Sequence, residues 1–239
     1  MVDLSHWDPA EDYEAVTAAG VVGVIYKATQ GSGYHDPTYH KQRSAALKAD
    51  LLWGAYHFGD ASNPKKQVDN FLGFAEINAN TLFCLDFEDY SSQMSLDGAR
   101  AFIQECEDRL GRPAECVIYS GNTIKEFLGD TNDEFFGARR LWLAQYGNKA
   151  VCQCSWDNYW LWQYTDGTYG PQPHSVDGCD SAGVDCNHYD GTAEQLAAEW
   201  AGGSAVPPEP VPPDYIATVT VVAPPNIRIQ IVQSESAPS

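Results

Sequence analysis

Two carboxylic acids follow an apolar run in this chain, at a spacing that would let both act on one substrate. Asp86 and Glu88 belong to the segment Leu-Phe-Cys-Leu-Asp-Phe-Glu-Asp at residues 82–89. On a strand, side chains two positions apart lean to the same face, with their Cα atoms about 7 Å apart. One protonated carboxyl beside one ionised carboxyl is what acid-catalysed cleavage of a glycosidic bond requires. A solvated acidic loop or a helix N-cap is the alternative that this run alone leaves open.

The segments that must position these acids alternate between strand-like and helix-like patterns. Apolar or β-branched runs predict strands over 2–4, 22–27, 52–57, 81–86, 116–119, 141–145, 160–164 and 184–186. Amphipathic patterns predict helices over 9–19, 37–49, 64–77 and 96–110. An Asp-Pro or Asn-Pro pair opens three of these helices, and glycine follows two of them. Later connections, notably 165–183, lack helical periodicity and are predicted as loops.

This alternation predicts an α/β fold, with a parallel sheet covered by helices. Eight strands in one domain-sized chain favour closure into a TIM-like (β/α) barrel with an incomplete set of helices. Active sites of such barrels lie at the C-terminal ends of the strands. Asp86, Glu88 and Asp185 lie at such ends, and Asp3 lies on the first strand, which adjoins the eighth in a closed barrel. Four carboxylates are therefore predicted at one mouth, which a solvated surface does not explain.

The composition restricts the partners. The chain of 239 residues has a net charge of −19 and few Lys and Arg for phosphate binding, which argues against nucleic acid. Its seven Trp and thirteen Tyr are consistent with stacking on sugar rings, although most belong in the core. No apolar run reaches the roughly 18 residues of a membrane span, and residues 1–7 do not resemble an export signal. We therefore expect a soluble chain.

The cysteines and histidines suggest structural roles. Seven cysteines leave at least one thiol free or paired outside the chain. Four of them could close a loop by disulfides or bind zinc: Cys152, Cys154, Cys179 and Cys186. Their spacing fits no common zinc pattern, which favours buried thiols or disulfides. His6 and His57 lack metal-ligand partners at a recognisable spacing and are interpreted as neutral structural residues. We expect neither a metal ion nor a cofactor.

The composition changes after a helix-like segment at 193–201. Residues 202–214 are rich in Gly and Pro and are predicted to be a linker. Beyond it, the runs 216–222 and 227–232 predict a short β-rich tail over 215–239. Two short strands cannot form a stable domain alone. We therefore assign the catalytic barrel to residues 1–201, and the tail would pack on it, pair between chains or remain from a truncated appendage.

Eight short motifs occur along the chain in a specific order. They are Val-Asp-Leu-Ser-His-Trp at 2–7, Tyr-Lys-Ala-Thr-Gln-Gly at 26–31, Ala-Tyr-His-Phe at 55–58, Leu-Asp-Phe-Glu at 85–88, Val-Ile-Tyr-Ser at 117–120, Leu-Trp-Leu-Ala-Gln-Tyr at 141–146, Leu-Trp-Gln-Tyr-Thr at 161–165 and Val-Asp-Cys-Asn at 184–187. Each is weak alone, but the ordered set resembles the glycoside hydrolase family 25 lysozymes. These Chalaropsis-type N-acetylmuramidases include many phage endolysins, and the resemblance covers roughly residues 1–200.

The resemblance implies an eight-stranded barrel with fewer helices and cleavage of the β-1,4 bond between N-acetylmuramic acid and N-acetylglucosamine in peptidoglycan glycan strands at the bacterial cell wall. The acidic positions of the family fall on Asp3, Asp86, Glu88 and Asp185. Glu88 is expected to be the general acid, and Asp86 to orient and polarise the substrate's acetamido group as an internal nucleophile. Asp3 and Asp185 are expected to hold the carboxylates and the sugar hydroxyls in place. Gln30 departs from the family, which often has Glu there, and the cysteine-bearing loop is also atypical.

Five further residues are expected to bind substrate: Tyr56, Tyr119, Trp142, Tyr146 and Gln163. Alternation along the strands places Tyr56 and Tyr146 toward strand ends, where a sugar could stack or hydrogen-bond, and Trp142 deeper in the core. Gln163 lies between apolar residues and would cost stability if it faced an apolar layer without partners. An inward role near the carboxylates and a satisfied structural amide both remain open for it.

Two other classes of function remain as alternatives. A carbohydrate-binding or virion structural protein could keep the barrel and lose catalysis, but the presence of all four acidic positions argues against this. A chitinase-like hydrolase of another barrel family usually carries a longer acidic motif than residues 86–88.

Overall fold

The computed structural model describes residues 1–88, 91–179 and 183–202. These ranges contain nine strands: β1 (Val2–Leu4), β2 (Gly23–Gln30), β3 (Tyr34–His35), β4 (Leu52–Phe58), β5 (Leu82–Asp86), β6 (Val117–Ser120), β7 (Leu141–Ala144), β8 (Leu161–Asp166) and β9 (Asp185–His188). They also contain seven helices: α1 (Tyr13–Ala18), α2 (Tyr39–Lys48), α3 (Pro64–Phe74), α4 (Leu96–Leu110), α5 (Asn122–Leu128), α6 (Glu134–Gly137) and α7 (Ala193–Glu199). The predicted tail and all of the predicted linker after Gly202 lie outside the described residues.

The strands form a closed barrel. The sheet runs in the order β1-β9-β8-β7-β6-β5-β4-β2-β3, and pairing of β1 with β2 closes it. The short strand β3 lies outside the ring, as the second arm of a hairpin with β2. Helices separate the strands as far as β7, whereas the described parts of the later connections contain none until α7. The predicted eight-stranded barrel with an incomplete set of helices is confirmed.

The direction of the last barrel strand differs from the prediction. Strand β9 runs antiparallel to both β8 and β1, whereas a uniformly parallel sheet was expected. Asp185 consequently begins its strand rather than ending it. Because the strand is reversed, its first residue lies at the same mouth as the C-terminal ends of the parallel strands. The prediction placed Asp185 at the correct end of the barrel for the wrong reason.

Several boundaries also differ from the prediction. Helix α1 begins at Tyr13 rather than residue 9, because the Asp12 side chain caps it by accepting from the Glu14 and Ala15 amides. Residues before Asp12 belong to a loop, in which the Glu11 amide donates to the Gly178 carbonyl. The sequence analysis missed β3, α5 and α6, which have two, seven and four residues and are too short to show a clear periodicity.

Alternation along the strands separates two packed regions. On β5, Phe83 and Leu85 pack in the core between the barrel and the helices, whereas Leu82 and Cys84 pack inside the barrel. The inner core also contains Trp200, just after α7, whose side chain is only 1% exposed. Its indole N–H donates to the Trp53 carbonyl at 2.8 Å. Burial of such an apolar side chain contributes about 3 kcal/mol, so α7 helps to close the N-terminal end of the barrel.

His57 and Glu107 are two polar side chains that are buried outside the barrel and paired. His57 Nδ1 lies 2.7 Å from Thr29 Oγ1, and its Nε2 lies 3.0 Å from Gln67 Oε1. Burial lowers the pKa of His57 to about 4, so the ring is neutral at neutral pH, as the sequence analysis predicted. Arg139 and Glu107 form a buried ion pair with Nη2 and Oε2 2.6 Å apart, which ties α4 to the residues before β7.

The cysteines are all free thiols. Cys179 and Cys186 are buried, Cys152 is half-buried and Cys154 is exposed, so the buried-thiol interpretation applies to the first two and the disulfide alternative is wrong. Within the described residues, no helix combines the length and the apolar character needed to cross a bilayer.

Candidate active site

A cleft of about 160 Å³ opens at the mouth of the barrel where the C-terminal ends of the parallel strands meet. All four predicted acidic residues line it. The complete lining is Asp3, Ser5, Trp7, Lys27, Tyr56, Phe58, Asp86, Glu88, Tyr119, Trp142 and Asp185. Residues from seven barrel strands and the segments that follow them therefore contribute to one site.

Asp86 and Glu88 reach the cleft from the end of β5. Between them, the Phe87 amide donates to the Tyr119 carbonyl at 2.9 Å, which extends the ladder with β6 by one bond. Phe87 is fully buried on the opposite side, so the two carboxyl groups share the face that lines the cleft. Asp86 Oδ1 is buried and has no hydrogen-bond partner among the described residues. That oxygen is therefore available to a group that enters the cleft.

The surroundings favour the protonated forms of both acids. Burial and the negative charge of Glu88 raise the pKa of Asp86 well above its ordinary value, and the Lys27 ammonium opposes that rise. Burial also raises the pKa of Glu88. Two carboxyl groups this close hinder each other's ionisation, so the pair retains a proton at a pH at which an isolated carboxyl would have lost it. Such a pair can supply one acid and one base.

Asp3 and Asp185 form a second carboxyl pair. They are register partners across β1 and β9, and a side-chain hydrogen bond joins them. Burial raises the pKa of Asp3 to about 7, although hydrogen bonds from Asn187 and Gln163 favour its ionised form. Burial and the nearby charge of Asp3 raise the pKa of Asp185 to about 9. Asp185 therefore holds the shared proton and donates it to the Asp3 carboxylate.

Hydrogen bonds fix Asp3 from behind the cleft. Gln163 Nε2 donates to Asp3 Oδ2 at 2.9 Å, and Asn187 Nδ2 donates to Asp3 Oδ1 at 2.6 Å. The Tyr119 and Tyr146 hydroxyls donate to Gln163 Oε1 at 2.7 and 3.0 Å. The amide of Gln163 is thereby locked with its nitrogen toward Asp3.

Trp142 orients the side-chain amide of Asn187, because its Nε1 donates to Asn187 Oδ1 at 2.6 Å.

Among the predicted substrate-binding residues, Tyr56, Tyr119 and Trp142 line the cleft, whereas Tyr146 and Gln163 do not. Gln163 is buried and Tyr146 is exposed at the rim. Both reach the site through the network around Asp3 rather than through the cleft wall.

The family model for glycosyl hydrolases family 25 matches residues 2–172. The chain belongs to this family. Lysozyme M1 of Streptomyces globisporus is 27% identical over 211 residues, which covers 82% of this chain and 69% of the relative. The N,O-diacetylmuramidase of Chalaropsis sp is 24% identical over 197 residues, covering 74% and 92%. The crystal structure of the bacterial lysozyme from Streptomyces coelicolor superposes with a TM-score of 0.71 at 26% identity, covering 85% of this chain and 97% of that structure.

This family 25 glycoside hydrolase has cleft residues that the sequence analysis did not select. Ser5 and Trp7 lie beyond β1, where the Asp8 amide donates to the Ser5 carbonyl at 3.2 Å in a turn, so alternation along a strand does not place them. The signal that contains both is the family-like motif at residues 2–7. Phe58 lies two positions after Tyr56 on β4 and shares its face, because side chains alternate along a strand.

Lys27 is the fourth residue that was missed. A bulge in β2 between Lys27 and Thr29 lets Gln30 lie on the same side as Lys27, which lines the cleft, although simple alternation would place them on opposite faces. Lys27 Nζ donates to Gln30 Oε1 at 2.8 Å and lies 4.8 Å from the centroid of the Phe58 ring. The family 25 hydrolase therefore has a buried cation beside its acids, and the hydrogen-bond partner of that cation is neutral.

Proposed function

We propose that the protein is an N-acetylmuramidase that hydrolyses the β-1,4 bond between N-acetylmuramic acid and N-acetylglucosamine in peptidoglycan. The observation that carries the proposal is the meeting of Asp86 and Glu88 in one cleft of a family 25 barrel. A neutral glycan backbone suits a chain whose net charge of −19 would repel polyanions.

Glu88 is the general acid in this proposal. Burial raises the pKa of Glu88, which favours the protonated form of the carboxyl group. As the bond between the muramic acid C1 and the glycosidic oxygen breaks, the Glu88 proton passes to that oxygen and the N-acetylglucosamine side leaves as an alcohol. The Glu88 carboxylate then accepts a proton from the water molecule that attacks C1. The acid is regenerated at the end of the cycle.

Asp86 acts on the acetamido group of the muramic acid. The Lys27 charge opposes the rise in the pKa of Asp86 that burial and Glu88 cause, and the ionised form of Asp86 is the one that accepts the acetamido N–H. The unpartnered Oδ1 is a free acceptor for that bond. Withdrawal of the N–H toward Asp86 makes the acetamido oxygen more nucleophilic, and this oxygen closes on C1 as the glycosidic bond breaks. The attacking water later opens the resulting ring.

The remaining predicted residues hold the acids and the sugar in position. Asp3 and Asp185 share a proton at one side of the cleft, where Asp185 is half-buried and can also contact a sugar hydroxyl. Tyr56 and Tyr119 line the cleft and provide aromatic surface to a bound sugar, while the Tyr119 hydroxyl donates to Gln163. Gln163 acts as a positioning residue, because it reaches Asp3 and not the cleft itself.

The test is the identity of the new reducing end. The protein is incubated with defined peptidoglycan, new ends are reduced with borohydride and the products are analysed by mass spectrometry, with Glu88→Gln as the matched control. Reduced muramic acid is the expected product. Reduced glucosamine would assign cleavage to the other glycosidic bond. A folded protein that releases no new ends would instead favour the carbohydrate-binding alternative.

A further inference from the structure

Three rings form a strip at the rim of the cleft. Trp7 is 81% exposed and Tyr34 is 39% exposed, and the His6 ring lies between them. The ring centroids of His6 and Trp7 are 4.4 Å apart, and those of His6 and Tyr34 are 6.0 Å apart. We call Trp7, His6 and Tyr34 the aromatic rim. An indole exposed to this degree loses most of the free energy that burial would contribute, so its folding role is small.

Hydrogen bonds to a buried carboxylate hold the aromatic rim. Asp36 is 1% exposed, and its Oδ2 accepts from the His6 amide at 3.0 Å and lies 2.9 Å from His6 Nδ1. The Tyr34 hydroxyl lies 3.1 Å from the same His6 nitrogen. The Trp7 amide donates to Ser5 Oγ at 3.2 Å. The His6 and Tyr34 rings and the backbone of Trp7 are therefore held before any ligand arrives, which lowers the entropic cost of binding.

The hairpin strand outside the barrel supplies one member of the aromatic rim. Tyr34 pairs with Gln30 in the β2–β3 hairpin. Asn70 on α3 donates through Nδ2 to the Gly31 carbonyl at 2.9 Å and to the Tyr34 carbonyl at 3.3 Å. The barrel closes without β3, so this anchored hairpin has a role other than closure.

The aromatic rim is continuous with the catalytic cleft. Trp7 lines the cleft together with Asp3 and Asp185. From the other side, Lys27 Nζ lies 5.6 Å from the centroid of the Tyr34 ring and 4.8 Å from that of Phe58, which also lines the cleft. A glycan strand bound across Asp86 and Glu88 can therefore extend onto the rim.

We propose that the aromatic rim is a binding subsite for a sugar ring of the glycan strand beyond the two sugars at the scissile bond. Pyranose rings present C–H groups on their faces, and aromatic rings, above all Trp, provide a complementary apolar and weakly negative face. The subsite takes a neutral sugar ring rather than an anion, because the buried Asp36 and the nearby Asp3 would repel a negative charge. This inference rests on the proposed function, since it assumes that the substrate is a glycan.

Binding to a catalytically inactive protein tests the subsite separately from turnover. In the Glu88→Gln background, calorimetric affinities are compared for peptide-free tetrasaccharide and octasaccharide fragments of peptidoglycan glycan. Trp7→Ala should weaken octasaccharide binding about tenfold, with a smaller effect on the tetrasaccharide. Trp7→Phe should restore most of the affinity. The matched control is Leu47→Ala, an exposed apolar residue on α2 that does not line the cleft.

Each outcome has one meaning. A Trp7→Ala protein that binds the octasaccharide as tightly as the Glu88→Gln parent would overturn the subsite and leave the proposed function intact. Equal losses for the short and the long fragment would also overturn it, since Trp7 would then act at the scissile bond. If the parent binds neither fragment and the active protein cleaves no peptidoglycan, the proposed function itself fails. Trp7→Ala should fold normally, because its side chain is mostly exposed.

Discussion

Asp3 and Asp185 face each other across antiparallel strands β1 and β9 and share one proton through a side-chain hydrogen bond. The two residues are 182 positions apart in sequence, so only closure of the barrel brings them together. Gln163 and Asn187 both donate to Asp3, so these two amides stabilise a negative charge on Asp3. The arrangement keeps one carboxylate and one carboxylic acid at the edge of the cleft.

The shared proton predicts a stability that decreases at alkaline pH. In the unfolded chain both acids ionise near 3.8, whereas in the folded protein their pKa values are about 7 and about 9. Raised carboxyl pKa values favour folding below the unfolded pKa, and that contribution is lost as pH rises through the folded values. Asp185→Asn keeps a donor for Asp3 and cannot ionise. It should therefore raise the melting temperature at pH 9 by about 2 °C or more relative to the parent.

At pH 4 the same variant should show little or no gain, since Asp185 is protonated in the folded protein there. Scanning calorimetry between pH 4 and pH 9 measures both values. Asp130→Asn, at an exposed position, serves as the control for loss of a surface charge. A gain in melting temperature that is independent of pH would contradict the assignment of the shared proton to Asp185.

Glu88→Gln tests the general acid. Gln keeps the shape and hydrogen-bonding reach of Glu but has no proton to give to the leaving oxygen. Turnover of soluble glycan fragments should fall on the order of 10²-fold or more, with the fold retained. Steady-state kinetics with circular dichroism provide the measurement. Near-normal turnover would remove Glu88 from this role.

Asp86→Asn tests the role of the acetamido group. Asn cannot accept the acetamido N–H as a carboxylate does, so turnover should fall strongly. Because the nucleophile belongs to the substrate, no covalent sugar adduct should form on either protein. Intact-protein mass spectrometry with a slow substrate measures this. A glycosyl ester trapped on Asp86 or Asp185 would show that an enzyme carboxylate attacks C1 directly.

Lys27 and Gln30 should control the acid limb of the pH profile. Lys27 favours the ionised form of Asp86, and its own acceptor is the neutral Gln30. Lys27→Met should raise the pKa of Asp86 and move the acid limb of kcat up by about one pH unit. Gln30→Glu should move it in the same direction by less, because Glu would neutralise part of the Lys27 charge. Lys41→Met, on α2 outside the cleft, is the charge control. If the acid limb of the kcat pH profile stays in place in both variants, this role for Lys27 is refuted.

A truncated chain that ends at Gly202 should contain the complete catalytic unit. All four acidic residues and the described barrel strands precede that point. We therefore expect activity on soluble fragments to persist, and activity on intact sacculi to fall if the tail retains the protein at the wall. A protein that folds by circular dichroism and cannot cleave soluble fragments would show that the tail completes the site.

A second truncation, ending at Thr192, is the matched comparison. It removes α7 together with the buried Leu196 and Trp200. Loss of a fully buried Trp costs about 3–5 kcal/mol. This shorter protein should therefore have a much lower melting temperature than the one that ends at Gly202.

Local patterns in the sequence were sufficient to predict that the two acids at the end of β5 share one face. Alternation depends only on the backbone of one strand, so it correctly placed Asp86 and Glu88 on one face and Trp142 in the core. The alternation of strands and helices was likewise sufficient to predict the barrel, because few architectures bury so many apolar strands in one domain. Alternation did not reach Ser5 and Trp7, because the chain turns after β1 ends at Leu4.

Only the tertiary structure decided features that depend on distant pairing. The reversal of β9 is set by its partners β8 and β1, and no residue within the strand encodes its direction. The bulge that turns Lys27 and Gln30 to the same side depends on the register with β4. Charge states also depend on burial by the whole fold, because desolvation comes from residues far away in sequence. The sequence determined which groups are available, and long-range packing determined which of them hold protons.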